Sequence, residues 1–124
     1  MLNMDGLIIN TGNFANVKKY INAGYTPVSI ALSVRYFKGL KFPKLAPKKE
    51  FLNDLEPEYS PKYNKILDSL QPDKIVIELI ELTGSKKIVL LCHEKEEDFC
   101  HRQLVAKWIT TYTGIKVKEL GKMN

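Results

Sequence analysis

The stretch from Lys87 to Trp108, KIVLLCHEKEEDFCHRQLVAKW, decides how the chain is read. Ile88 to Leu91 is an aliphatic run with no polar break, as in a strand covered on both faces. Leu104, Val105, Trp108, Ile109 and Tyr112 then recur at helical spacing, and Gly114 supplies the stop. A polar turn joins the two, so the unit is strand, turn and amphipathic helix opening near Cys100. Both cysteines, both histidines and an arginine lie at or beside the ends of that turn.

Working outward, strands and helices follow without an internal repeat. Downstream, Ile115 to Leu120 (IKVKEL) alternates apolar and polar, which predicts a final strand near a sheet edge. Upstream, Pro72 opens a helix with an Ile75, Val76, Leu79, Ile80 stripe that ends at Gly84. Another helix begins near Ser60-Pro61, with Tyr63, Ile66, Leu67 and Leu70 on one face, and Pro47 suits the first turn of a helix through Leu55. Leu7 to Asn10 (LIIN) reads as the first strand, followed by turn residues Thr11, Gly12 and Asn13. A helix carrying Phe14, Val17, Lys18 and Ile21 closes at Ala23-Gly24, and Thr26 to Leu32 (TPVSIAL) is the second strand. Ser33 to Pro47 has no clean period and reads as a long ordered loop that packs Tyr36, Phe37, Leu40 and Phe42.

This order predicts an α/β class: residues 1–124 as one domain, with a mostly parallel four-stranded sheet covered by helices. At 124 residues, 44% apolar and 27% charged, the chain is large enough for one hydrophobic core. No apolar run is long enough to cross a membrane, and MLNMDGLIIN lacks the basic start of a secretory signal. With two cysteines, the expectation is a cytoplasmic chain with reduced thiols. A net charge of +5, much of it from Arg35, Lys38, Lys41, Lys44, Lys48 and Lys49, favours anionic partners such as nucleic acid, nucleotides or phosphorylated metabolites. A solvated lysine-rich surface explains the same excess without a partner.

In sheets of this class ligands bind beyond the carboxyl ends of the strands. Thr11 after strand one, Ser33 to Lys38 after strand two and Cys92 to Arg102 after strand three all fall there. With Asp98 or Phe99 at the helix cap, Cys100, His101 and Arg102 occupy its first turn, where an anion is favoured. There a thiol beside an arginine becomes a better nucleophile, and Arg102 can hold a phosphate or carboxylate. Glu94, two residues past Cys92, has the reach to act as an acid or base or to orient His101. The competing reading of Cys92 is a packed core thiol, and of Arg102 a surface ion pair. Cys92, His93, Cys100 and His101 are zinc-type ligands, but their spacing is not that of a knuckle. Adjacent Cys92 and His93 also point to opposite faces of a strand, so neither a metal nor another cofactor is expected. A Cys92–Cys100 disulfide is geometrically possible on proximity in sequence alone.

LLCHEKEEDFCHRQLVAKWI resembles the signature of the family called domain of unknown function 488, in which a strand ending Leu-Cys-x-Glu precedes a helix opening with Cys-His-Arg. SVRYFKGLKFPKLAP resembles the aromatic-Lys-Gly to Leu-Ala-Pro segment of its shorter members, so the likeness spans nearly the whole chain. Ser33-Val34 departs from the Arg-Gly turn typical there. The resemblance implies a compact α/β domain, with Cys92, Glu94, Cys100, His101 and Arg102 as recurring polar positions and Arg35 and Lys38 beside them. It implies a site and not a reaction.

The functional expectation is therefore a pocket at the carboxyl edge of the sheet that binds a nucleotide-like or other anionic small molecule. Cys100, His101, Glu94 and Cys92 are its catalytic candidates, and Arg102, Arg35, Lys38 and Thr11 its ligand-binding ones. Two alternatives remain at this point. One is a nucleic-acid module using the Lys/aromatic loop 35–49; the other is a structural or interaction protein in which Cys-His-Arg only locks the turn.

Overall fold

The computed structural model describes residues 5–32, 37–93 and 99–122. Strands β1 (Ile8–Asn13), β2 (Thr26–Ser29), β3 (Leu40–Lys41) and β4 (Lys87–Cys92) form an all-parallel sheet in the order β1-β4-β2-β3. The helices are α1 (Val17–Asn22), α2 (Glu56–Asp68), α3 (Pro72–Thr83) and α4 (His101–Thr113). The expected α/β architecture is thus present, with β4 at the centre. Its five residues Ile88 to Cys92 are all buried, as the unbroken aliphatic run requires.

Alternation along the strands feeds two layers of core. Ile9, Val28, Ile88 and Leu90 face α2, α3 and α4, meeting Tyr63, Leu67, Val76, Leu79, Val105 and Ile109. Val89 and Leu91 face the other way, against Phe14 and Tyr20 at α1. Gly84 and Gly114 end α3 and α4 in the left-handed conformation, φ +62° and +79°, where a Cβ would be strained.

Several expectations shift, among them the second strand, which ends at Ser29 rather than Leu32. The first strand runs on through Thr11, Gly12 and Asn13, because β4 pairs with it over six positions, from Ile8↔Lys87 to Asn13↔Cys92. Part of the loop 33–47 becomes strand β3, which pairs with Val28 and Ser29. Pro47 to Leu55 forms only a 3-10 turn, Lys49–Phe51, and α2 begins earlier, at Glu56. Pro61 lies inside α2, where the missing N–H removes one bond to an exposed carbonyl near the helix start. Finally, Ile115 to Leu120 is an extended segment with one bridge, Thr11↔Glu119, rather than a full strand. It is still tied to β1: the Thr11 N–H donates to Lys118 O at 2.8 Å and the Leu120 N–H to Thr11 O at 2.7 Å.

Candidate functional site

The carboxyl ends of β1, β2 and β4 converge on the first turn of α4. Cys92 is the last residue of β4, and Cys100 stands at the α4 cap in an extended conformation, φ −149° and ψ 152°. The cap was expected at Asp98 or Phe99; it is one or two residues later, so His101 and Arg102 are the first two helical residues. The two sulfurs are joined as a disulfide, where reduced thiols were the expectation.

His101 is buried, with its ring held at both nitrogens. Nε2 lies 2.6 Å from Ile30 O, so it carries the proton and donates to that carbonyl, which leaves the Nδ1 lone pair 3.5 Å from Cys100 Sγ. Tyr63 meets the ring edge-on at 5.2 Å, and its own hydroxyl donates to Leu45 O at 2.6 Å. Burial lowers the His101 pKa to about 4; the bond to Ile30 opposes this, and Arg102 and His93 add to it. Burial likewise raises the Tyr63 hydroxyl well above its usual range.

Arg102 turns the other way. It is fully buried, donating from Nε to Glu119 Oε1 at 2.7 Å and from a terminal nitrogen to Cys92 Sγ at 3.1 Å. Thr11 also donates to Glu119 Oε1, at 2.8 Å, so a chain of contacts runs Thr11–Glu119–Arg102–Cys92. Asn10 secures the same segment by accepting the Lys118 N–H at 2.9 Å. Tyr20 fixes its end, donating to Gly121 O at 2.6 Å while accepting the Asn13 N–H at 3.2 Å.

A cavity of about 210 Å³ opens over the cluster, lined by Cys92, His93, Cys100 and His101, by Leu52, Tyr59 and Phe99, and by Asp54, whose carboxylate is paired with Lys62 at 2.6 Å. Ala31, Leu32 and Pro47 form a wall shared with a second cleft, about 590 Å³, on which Lys41, Lys44, Lys48 and Lys49 stand. Lys44 is paired with Glu78 at 2.6 Å.

The structure therefore brings together Cys92, Cys100, His101 and Arg102 and connects Thr11 to them through Glu119. Arg102 and Thr11 line neither cleft. Lys38 is exposed, and Arg35 and Glu94 lie outside the described residues. His93 lines the cavity beside Cys92 and meets the Phe14 ring at a tilt of 55°, with centroids 5.2 Å apart. Of the aromatics in the loop 35–49 that the nucleic-acid alternative would use, Phe42 is core and Phe37 packs on Phe14; Tyr36 is outside the described residues.

Glu119 is the functional neighbour that the sequence reading misses. Its signal was present: in Ile115 to Leu120 it shares the apolar face of the alternation with Ile115 and Val117. An acid on that face calls for a buried cation, and Arg102 is the arginine that meets it.

The family model described as the active DUF488-N3 subclade matches residues 19–113. No curated protein and no solved structure gives a match to the chain.

Proposed function

The chain belongs to the DUF488 family, and on that premise we propose that it binds an anionic, nucleotide-like small molecule and acts on it with the Cys100 thiol. One observation carries this reading: Cys100 and its imidazole partner line a cavity whose outer wall is shared with a lysine-bearing cleft. The family description as an active subclade supports catalysis over a purely structural role. Lys41, Lys48 and Lys49, all exposed, supply the field that draws an anion to the opening.

The Cys92–Cys100 disulfide must open before Cys100 can act as a thiol. Two thiols of a small dithiol reductant give up two electrons and two protons, leaving Cys92 and Cys100 as thiols and the reductant as its own disulfide. The Cys100 thiol then lies 3.5 Å from His101 Nδ1, whose neutral lone pair is aimed at it by the Ile30 carbonyl. Cys92 Sγ stays beside the Arg102 guanidinium, 3.1 Å from a terminal nitrogen, and leaves Cys100 as the sulfur on the ring of His101. A working state with free thiols suits a reducing cytoplasm.

Alkylation kinetics test the reading. In Cys92→Ser, where Cys100 is the one remaining thiol, negatively charged iodoacetate should outpace neutral iodoacetamide relative to free cysteine. Lys48→Glu with Lys49→Glu should remove that preference, and millimolar nucleotide should protect the thiol. A Cys100 that reacts like an unperturbed thiol, with no preference for the anion, would end the proposal.

A further inference from the structure

The same three atoms that make a thiol site in one state are a ligand set in another. Cys92 Sγ, Cys100 Sγ and a ring nitrogen of His101 all lie within 4.8 Å of one another and belong to buried residues. We propose that, once the Cys92–Cys100 bond is reduced, Cys92 Sγ, Cys100 Sγ and His101 Nδ1 bind one thiophilic divalent cation of the zinc class, with its fourth position open to the cavity.

The sulfur-to-nitrogen distance agrees with that assignment, and opening the disulfide lets the two sulfurs part to the separation an ion needs. Bonds of about 2.3 Å to sulfur and about 2.0 Å to nitrogen put neighbouring ligands of a tetrahedral ion roughly 3.3–3.8 Å apart. The Cys100 Sγ to His101 Nδ1 separation is already 3.5 Å. The outer contacts are those of a ligating imidazole: Nε2–H donates to a backbone carbonyl, Ile30 O, which aims the Nδ1 lone pair at the sulfurs. Cys92, at the end of the central strand, and His101, at the start of α4, are held by regular structure, so the set needs little ordering.

Charge points the same way. Two thiolates carry −2, the cation +2, and the Arg102–Glu119 pair cancels itself, so the loaded cluster is neutral. A bare dithiolate in the same place would leave two buried negative charges beside one guanidinium that is already paired. A zinc knuckle needs two cysteines on one short loop. Here the fold itself brings the strand end to the helix start, and a spacing of eight suffices.

The protons balance. The reduced pair loses two protons as the ion binds, on top of the two electrons and two protons that a dithiol reductant supplied to open the bond. The cation takes the sulfur that the preceding reading uses as nucleophile, so a loaded chain should resist alkylation.

The test uses the full chain, reduced with dithiothreitol, freed of it under nitrogen and titrated with cobalt(II), then zinc. Saturation at one equivalent with sulfur-to-cobalt charge-transfer absorption and tetrahedral d–d bands is expected, with zinc bleaching both and about two protons released per ion. Cys92→Ser or Cys100→Ser should weaken binding at least about 100-fold, and His101→Gln at least about 10-fold. Reduced, folded wild-type protein that develops no charge-transfer band would overturn the site, as would a band left unchanged by Cys100→Ser. Alkylation that prefers the anion, together with no cobalt band, would remove this inference and leave the anion-site reading standing.

Discussion

His101 and Arg102 are adjacent on the first turn of α4, yet the fold uses them in opposite ways. His101 turns toward β2, bonds Ile30 O and lines the cavity with Cys100. Arg102 turns toward β1 and the extended segment beside it, where Glu119 and Cys92 Sγ absorb its donors away from either cleft. One residue of helical rotation, about 100°, separates a group with access to a ligand from one that holds the floor beneath it. The Cys-His-Arg run is therefore divided by the fold: Cys100 and His101 line the cavity, and Arg102 holds Cys92 Sγ from the other side.

The strongest challenge to this division is Arg102→Ala. It opens a cavity in the core and strips the Glu119 carboxylate of its cation, so urea denaturation should show a loss of about 4 kcal/mol. Arg102→Ala combined with Glu119→Ala should lose less than the two single changes summed, by roughly 1–2 kcal/mol, since the pair acts as a unit. An Arg102→Ala protein as stable as the wild type but unable to bind anions would invert the division and make Arg102 the ligand's anchor.

His101 gives the second challenge, through pH. The unfolded imidazole takes up a proton near pH 6.5, whereas burial keeps the folded one neutral down to about pH 4. Protons therefore favour the unfolded chain in that window: stability is unaffected above it and falls as pH drops from 6.5 toward 4. The loss should approach roughly 3 kcal/mol at the acid end. His101→Phe, which keeps a ring against Tyr63 but cannot titrate, should flatten that slope in thermal melts across the window. A slope that survives the substitution would place the titrating group elsewhere.

How much of this was legible depends on whether local pattern or tertiary pairing set each feature. The aliphatic run of β4 and the stripes of α3 and α4 follow from side-chain spacing, and they stand where the periodicity puts them. The ends of β1 and the fate of Ile115 to Leu120 do not, because they depend on which neighbour supplies the hydrogen bonds. Thr11 to Asn13 carry turn-type side chains but extend as strand once β4 and the Glu119 segment flank them. Of the site, the clustering of Cys92, Cys100 and His101 could be read from strand-to-helix order. That Arg102 would face inward could not, since its partner lies 17 residues on, in a segment read as an edge strand.

Gly12 sharpens the comparison from the far side of the sheet. A Cβ there would sit 2.5 Å from the Tyr20 ring, and that ring's hydroxyl ties Asn13 to Gly121. Gly12→Ala should cost about 2 kcal/mol by overpacking. It should also loosen the end of the segment carrying Glu119, raising amide exchange at Leu120 and Gly121. Tyr20→Leu in the same chain should recover part of the loss, because the clash is with the ring.

The smallest expected effect on stability belongs to the lysine cleft, and that smallness is itself informative. Lys48 and Lys49 are exposed, so Lys48→Glu with Lys49→Glu should move the denaturation midpoint by no more than about 0.5 kcal/mol. Their contribution should appear in association instead. The field at the opening changes by four charge units, which should slow capture of an anionic probe at low salt and matter far less near 0.5 M, where screening is nearly complete. Arg102→Ala should show the reverse pattern, a large stability loss with no such salt dependence. The two variants thus separate the half of the site that meets the ligand from the half that carries the sulfur. If Lys48→Glu with Lys49→Glu leaves anion capture unchanged at low salt, the lysine cleft is solvated surface, and the approach to Cys100 must lie on another side of the cavity.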